Sequence, residues 1–151
     1  MKRFLCAFLA VCFIMTVPLS ANAATTSERA EILYNEDGSY IVVTLEDIPI
    51  RASGVLTRSK TYSYYNAADE IEWKAVLTGT FEYDGASATC IASACDVYIY
   101  NTNWYLISKN TTKSGNTVNS TVRMGRKVLG ITVSQKDYYL TLSCDGNGNI
   151  Y

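Results

Sequence analysis

The feature that most constrains the fold is a long stretch of strict two-residue alternation from Ile71 to Tyr83. The odd-numbered positions are mostly apolar: Ile71, Trp73, Ala75, Leu77, Gly79, Phe81 and Tyr83. The even-numbered positions are mostly polar: Glu72, Lys74, Val76, Thr78, Thr80 and Glu82. Successive side chains of a strand point to opposite faces, so this pattern predicts a strand with one buried and one solvated face. The Asp84-Gly85 pair that follows is a turn signal and predicts a hairpin.

Shorter segments of similar character predict further strands on both sides of this one. Separate strands are expected at 87–91 and 97–100, and a loop rich in Thr, Ser and Gly is expected at 110–116. Residues 31–34 and 40–45 bracket a turn and predict another hairpin. We therefore predict an all-β chain: a single antiparallel β-sandwich-like domain of about eight strands.

The first residues have the order of a cleavable secretory signal. Lys2 and Arg3 precede an apolar run, Pro18 follows that run, and small residues occupy 21–23. The apolar run, about 14 residues, is shorter than the roughly 20 that a membrane span needs. We expect residues 1–23 to be removed and the mature chain to be secreted to the extracellular space, with no membrane span.

A linker-like segment divides the mature chain. Residues 46–54 combine charged residues, Pro49 and Gly54 without strand periodicity. The expected organisation is a signal peptide at 1–23, an N-terminal appendage of a hairpin plus linker at 24–50, and a β-sandwich domain at 51–151. Arg51 makes the linker a candidate site for cleavage by an extracellular protease, which would make the preceding residues a pro-segment.

Charge and composition argue against two large classes of function. Loss of Lys2 and Arg3 with the signal makes the mature chain more acidic than the full chain, whose net charge is −1, so nothing favours nucleic acid as a partner. The chain contains no histidine, which excludes Ser-His-Asp and Cys-His catalysis and the HExxH zinc site. We predict that the protein is not an enzyme and carries no cofactor.

Carboxylates alone are also poor candidates for chemistry. Glu72 and Glu82 share the predicted solvated face of one strand, but ten extended residues separate them by roughly 33 Å, too far for glycoside hydrolysis. Asp145, Asn147 and Asn149 have the alternate spacing of the start of a calcium loop, but no bidentate acid follows them. An ordinary turn is the preferred interpretation, and no metal site is predicted.

Three cysteines remain once the signal is removed: Cys90, Cys95 and Cys144. An odd number in an exported protein predicts one disulfide and one unpaired thiol. Cys90 and Cys144 each end a strand-like segment, which favours that pair, and a Cys90–Cys95 bridge is the alternative. Cys95 is a weak candidate nucleophile because no histidine is present to activate it.

Five aromatic residues are candidates for a binding surface. Tyr62 and Tyr64 share one strand face, Tyr98 and Tyr100 share another, and Trp104 stands beside an asparagine-rich turn. Exposed aromatic rings stack on sugars and anchor protein interfaces. The alternative is that these rings fill the core or form cross-strand pairs.

Several motifs spread over most of the mature chain occur together. They are 36–40 (EDGSY), 51–54 (RASG), 60–62 (KTY) with 64–66 (YYN), Trp73 with 77–85 (LTGTFEYDG), and 140–148 (LTLSCDGNG). With them the chain resembles a group of uncharacterised small secreted proteins of Gram-positive, clostridia-like bacteria, which are β-rich and have no established activity. In that group a cysteine after the Tyr-x-Gly turn recurs with one near the C-terminus. The resemblance therefore supports pairing Cys90 with Cys144, and Cys95 departs from the pattern.

The sequence leaves two main functions open. The first is a secreted non-catalytic β-domain that binds a cell-envelope glycan or an extracellular protein through the five aromatic candidates. The second is a secreted effector or inhibitor that acts on a protein target, for which small size and a disulfide are equally suitable. A hydrolase that uses carboxylates alone is a weaker third.

Overall fold

The computed structural model describes residues 27–47 and 54–151, which form eight strands and no helix. The strands are β1 (Ser27–Tyr34), β2 (Tyr40–Asp47), β3 (Gly54–Tyr65), β4 (Ile71–Tyr83), β5 (Ala88–Ile99), β6 (Trp104–Ser114), β7 (Thr117–Val128) and β8 (Ile131–Ser143). All paired neighbours are antiparallel, in a five-stranded sheet of order β1-β2-β3-β4-β5 and a three-stranded sheet of order β6-β7-β8. The prediction of an all-β chain with about eight strands is confirmed.

Three sequence predictions fall outside these residues. They are the signal peptide, the appendage boundaries at residues 24 and 50, and the candidate cleavage at Arg51. Within the described ranges, no helix is long and apolar enough to cross a membrane. The predicted hairpin at 31–45 is present as β1 and β2, and β2 pairs with β3 from Tyr40 opposite Tyr65 to Leu45 opposite Lys60.

Strand β4 has the most completely buried face of the structure. Trp73, Ala75, Leu77 and Phe81 are fully buried, in the register that the alternation predicted. Gly79 lies in the same row, and a Cβ there would approach the Phe81 ring to 2.6 Å. The glycine therefore leaves the space into which that ring packs.

Side chains from both sheets belong to one hydrophobic cluster. The three-stranded sheet contributes Val118, Val122 and Met124 from β7 and Leu140 and Leu142 from β8, all buried. This shared core is what relates the two sheets to each other.

Aromatic rings fill one end of that core. The Tyr64 ring stacks on Trp73 with centroids 5.3 Å apart, and Tyr138 meets Trp73 edge-on at 4.7 Å. Trp104 contacts the Tyr64 ring at 5.1 Å, also edge-on. Such pairs contribute about 0.5–1.5 kcal/mol each beyond simple burial, so these rings orient the two sheets as well as fill space.

A β-bulge turns Glu72 away from the face that the alternation predicted. Tyr64 pairs with Trp73 and Tyr65 pairs with Ile71, so Glu72 is the extra residue between them. An extra residue bends its strand and redirects its side chain. The expectation that Glu72 lies on a solvated face is wrong, because its residue is only 3% exposed.

The redirected carboxylate accepts three hydrogen bonds. The Trp104 indole N–H donates one, and the side-chain amides of Asn66 and Asn101 donate the others at 3.3 and 3.2 Å. Glu72 belongs to β4 and Trp104 to β6, so a buried polar contact joins the two sheets. Its donors satisfy a group that would otherwise be costly to bury.

Strand β5 is longer than predicted, because the expected segments at 87–91 and 97–100 are one continuous strand. Phe81 pairs with Cys90 and Thr80 pairs with Ala92, which leaves Ile91 as the extra residue of a bulge. The odd spacing of Cys90 and Cys95 would place them on opposite faces of a regular strand. The bulge restores the phase, and both cysteines are buried.

The loop predicted at 110–116 is mostly the end of β6, and only Gly115 and Asn116 form a turn. Every residue of this segment is polar or glycine, and most are exposed, so the apolar alternation that identifies a strand is absent. The ammonium groups of Lys109 and Lys113 donate hydrogen bonds to the Cys95 and Ile91 carbonyls of β5. Strand β5 is an edge of the five-stranded sheet. Because the lysines hydrogen-bond to its carbonyl groups, those groups are not free to pair with a strand of another chain.

The C-terminal turn is organised by Asp145. Its carboxylate accepts hydrogen bonds from the backbone N–H groups of Asn147 and Asn149, at 2.9 Å each, and from the Asn149 side chain at 2.7 Å. The Asn149 side chain, then the backbone donors, lower the pKa of Asp145 below its usual range. The residues with the spacing of a calcium loop, for which an ordinary turn is the preferred interpretation, thus bond to one another.

We expect the loss of Glu72 to destabilise the fold far more than the loss of Glu82, which is exposed on the same strand. Glu72→Ala leaves the buried Trp104 N–H without its acceptor and should lower the free energy of unfolding by about 3 kcal/mol. Glu72→Gln keeps an acceptor and should cost about 1 kcal/mol. Urea unfolding measures both, and equal effects of Glu72→Ala and Glu82→Ala would contradict this account.

Acid should remove the stability that Asp145 provides. Its folded pKa lies below its unfolded pKa, so the contribution is complete above about pH 5 and is lost as the pH falls through the folded pKa. The melting temperature of the native protein should therefore decline more than that of Asp145→Asn between about pH 5 and pH 2. Asp96→Asn, whose carboxylate lies on an exposed part of β5, is the control. Parallel curves for all three proteins would refute the assignment.

Candidate binding site

The structure divides the five predicted aromatic residues between two surfaces and the core. Trp104 and Tyr64 are each only 6% exposed. The Tyr64 hydroxyl donates to Ser39 Oγ at 2.9 Å, and the Trp104 indole is engaged by Glu72. Trp104 and Tyr64 therefore pack in the core and do not form an exposed binding surface.

Tyr98 and Tyr100 lie on the outer side of the five-stranded sheet. They are 48% and 52% exposed, and the Lys74 ammonium lies 5.0 and 6.0 Å from their ring centroids. Tyr98 is the cross-strand partner of Lys74, whose side chain points away from the buried face that includes Trp73. These two rings therefore cannot act on one ligand together with Tyr62.

Tyr62 lines a cleft between the β1–β2 hairpin and β8. The cleft has a volume of about 240 Å³, and Trp73, Tyr138 and Tyr139 contribute the other aromatic surfaces. Apolar side chains complete its walls: Leu33, Ile41 and Leu140. The cleft thus combines four aromatic rings with apolar contacts in a space suited to a small ring.

The Tyr62 ring is fixed before any ligand arrives. Its hydroxyl donates to the Thr141 carbonyl at 3.0 Å and accepts from the Thr141 N–H at 3.1 Å. Burial raises the pKa of Tyr62 and that of Tyr138, so both phenols stay neutral at physiological pH. A fixed ring loses little conformational freedom when a ligand binds.

Trp73 contributes an unused hydrogen-bond donor. Its residue is fully buried, and its indole nitrogen is the one buried side-chain nitrogen or oxygen within the described residues that has no hydrogen-bond partner. Leaving such a group unpaired costs about 1–3 kcal/mol. The residue has no exposed surface, so this N–H is closed to a molecule that occupies the cleft.

Polar and charged groups surround the mouth of the cleft. Lys136 Nζ donates to Asn35 Oδ1 at 3.2 Å, which links β8 to the β1–β2 turn. Asp137 accepts two hydrogen bonds from Arg123, at 2.6 and 2.8 Å, and these lower the pKa of Asp137. The rim therefore offers a cation, an amide and an ionised carboxylate, whereas Tyr139, 76% exposed, offers an open ring face.

The three described cysteines are buried thiols that lie apart from this cleft. Burial raises the pKa of Cys90, and it raises that of Cys144 to about 11. Both therefore hold their protons at neutral pH, which makes them poor nucleophiles. Within the described residues, no group of three or more potential ligands from His, Cys, Asp and Glu could hold a metal ion.

Sequence reasoning identified only Tyr62 among the residues of the cleft. The alternation predicts a buried Trp73, which is correct, and gives no sign of its unpaired N–H. It does not predict that Lys136, which shares a face of β8 with Tyr138, or Tyr139, which points to the other face, lines a cleft. A pattern along one strand does not reveal that β8 borders a cleft.

Comparisons with known proteins leave the family open. No family model matches the chain, and no curated protein matches it. The crystal structure of a hypothetical protein, lmo2686, from Listeria monocytogenes EGD-e is similar at 11% sequence identity, with a TM-score of 0.47 over 82% of this chain and 94% of that chain. That neighbour comes from a Gram-positive bacterium.

Proposed function

We propose that this protein is a secreted, non-catalytic binding module whose cleft holds a sugar unit of a cell-envelope glycan. The observation that most supports this is a cleft of about 240 Å³ lined by aromatic residues, one of which, Tyr62, is already held in place by the Thr141 backbone. A sugar ring suits such a cleft, because its hydroxyls can pair with the polar groups at the mouth. Its C–H face packs on aromatic rings.

The size and the rim of the cleft agree with a sugar better than with a larger ligand. Pockets for drug-sized molecules have volumes of roughly 300–1,000 Å³, and this cleft is smaller, at about 240 Å³. Asn35, Lys136 and Asp137 supply donors and acceptors at the mouth, where sugar hydroxyls would emerge. Open ends at the mouth allow the rest of a polysaccharide to continue into solvent.

Export is the second part of the proposal. The charged, apolar and small-residue order of residues 1–23 supports it, as does the resemblance to secreted proteins of Gram-positive bacteria. We also infer that the two sheets form a β-sandwich, since both contribute to one core cluster. A rigid sandwich is a suitable carrier for a preformed cleft.

We expect the mature chain, residues 24–151, to bind soluble fragments of Gram-positive wall polysaccharide in isothermal titration calorimetry. Tyr62→Ala removes a lining ring that the Thr141 backbone holds in place, so it should weaken binding about tenfold, which corresponds to roughly 1.4 kcal/mol. Tyr139→Ala removes the exposed ring of the cleft and should weaken binding by a similar factor.

Tyr98→Ala is the matched control, because Tyr98 is also an exposed tyrosine on a strand but lies on the outer face of the other sheet. Its affinity should equal that of the native protein. If Tyr98→Ala weakens binding and Tyr139→Ala does not, the glycan site is on the outer face. If no wall polysaccharide binds, the secreted effector or inhibitor with a protein target becomes the better proposal.

We further infer that Cys90 and Cys144 form a disulfide after export, when dioxygen or a disulfide-bonded oxidoreductase outside the cell takes up the two electrons and two protons that the thiols lose. Their backbone N–H groups donate to the consecutive carbonyls of Gly115 and Asn116, at 2.7 and 3.0 Å, so one turn separates the two residues. Asn116 also donates from its side chain to the Cys144 carbonyl at 2.6 Å. Cys95 lies farther along β5, beyond the bulge at Ile91.

Secreted material should yield a Cys90–Cys144 peptide on non-reducing mapping. Because the bridge closes a long loop, Cys144→Ser should lower the free energy of unfolding by about 4 kcal/mol in the chain-entropy model. Cys95→Ser should leave the bridge in place and serves as the control. Recovery of a Cys90–Cys95 peptide instead would overturn the pairing.

A further inference from the structure

The hairpin between β7 and β8 ends in a concentration of exposed apolar side chains. Arg126 is the last residue of β7 that pairs with β6, and the hairpin continues beyond it without a third strand. Leu129 at the apex is 96% exposed, Ile131 is 70% exposed and Val133 is 55% exposed. Val128, the cross-strand partner of Ile131, is 46% exposed.

The backbone of this turn gives no local reason for a leucine. Leu129 and Gly130 form a two-residue loop with φ values of +51° and +80°. A turn with two positive φ values favours Asn-Gly, because bulky side chains rarely adopt the left-handed region. The sequence therefore places a large apolar side chain where the backbone disfavours it and where solvent surrounds it.

Basic residues lie at the base of the hairpin. Between Arg123 and Lys136 the sequence contains four basic residues and no acidic one, although the whole chain has a net charge of −1. Arg123 is paired with Asp137, and Asp37 lies close enough to Lys136 to feel its charge. Arg126 and Lys127 are therefore the principal free cations of this region.

Contacts fix both cations behind the apolar tip. The Lys127 ammonium lies 4.6 Å from the Tyr105 ring centroid, and the Arg126 guanidinium lies 6.0 Å from that of Trp104. From Arg126 to Leu129 the chain extends by about 10 Å. An apolar tip of that length with cations at its base matches the depth of the headgroup region of a bilayer and the phosphates above it.

We propose that this hairpin docks on an anionic lipid bilayer. Leu129 and Ile131 enter the boundary between headgroups and acyl chains, and Arg126 and Lys127 contact the lipid phosphates. A protein partner fits less well, because stable protein interfaces need roughly 800 Å² on each side, whereas this apolar surface is a narrow tip. The inference is independent of the cleft and of its ligand.

Vesicle co-sedimentation of residues 24–151 tests the proposal. Vesicles of equimolar phosphatidylglycerol and phosphatidylcholine should bind the protein, and vesicles of phosphatidylcholine alone should bind it at least about tenfold more weakly. High salt should weaken binding to the mixed vesicles. A double variant, Arg126→Gln with Lys127→Gln, should bind both kinds of vesicle equally weakly.

Leu129→Asn separates docking from folding. Asn-Gly suits the turn, so this variant should melt at the same temperature as the native protein or higher, yet it should bind mixed vesicles about tenfold more weakly. Val55→Asn, which replaces an exposed apolar residue of β3 (61% exposed), should bind as the native protein does. Unchanged binding by Leu129→Asn overturns the proposal. The proposal is also overturned if the native protein fails to bind mixed vesicles. That outcome includes the case in which the tip forms a dimer interface and Leu129→Asn dissociates the dimer.

Discussion

The hydrogen bond from the Trp104 indole to the Glu72 carboxylate joins β6 to β4, and through them the two sheets. It forms because a bulge releases Glu72 from the ladder and turns its carboxylate inward. Asn66 and Asn101 donate to the same carboxylate, so the turns on either side of β4 and β5 converge on one buried group. The position of Trp104 in turn sets the aromatic cluster, since its ring contacts both Tyr64 and Trp73.

Two buried tryptophans in one cluster differ in whether the indole N–H has a hydrogen-bond acceptor. Both rings are nearly inaccessible, but the Trp104 N–H has a carboxylate acceptor and the Trp73 N–H has none. A phenylalanine at position 73 would carry no donor to satisfy, so the unpaired N–H is a cost that Trp73 brings to the core. The hydroxyl of Tyr62, which lines the cleft, is by contrast paired with the Thr141 backbone.

The sequence predicted the strands well where a regular alternation continued, as in β4. It failed at bulges, because an extra residue breaks the alternation at that point. Within the described residues four bulges interrupt the sheets, and their extra residues are Glu72, Ile91, Ile107 and Val133. The polar residues at the end of β6 predict a loop, whereas in the structure they pair with the start of β7 in a hairpin.

The aromatic candidates show a second limit of sequence reasoning. Alternation tells which tyrosines share a face, but it does not tell which face another sheet will cover. Tyrosine suits both situations, since its ring can be buried while its hydroxyl finds a partner. Thus Tyr62 and Tyr98 have similar sequence contexts, yet the first lines a cleft and the second lies on the outer surface. Only the relative position of the sheets, which depends on long-range contacts, separates them.

The cleft and the hairpin are both built on β8, and their separation constrains what the cleft could reach on a membrane. Lys136 at the rim lies seven residues from Leu129 at the tip, which is about 23 Å of extended strand. A hairpin that enters the headgroup region to a depth of about 10 Å would therefore hold the cleft above the bilayer surface. Sugars attached directly to lipid headgroups would lie below the cleft. A polymer that rises from the membrane or hangs from the wall would pass its mouth, so membrane docking and glycan binding describe one compatible orientation of the protein.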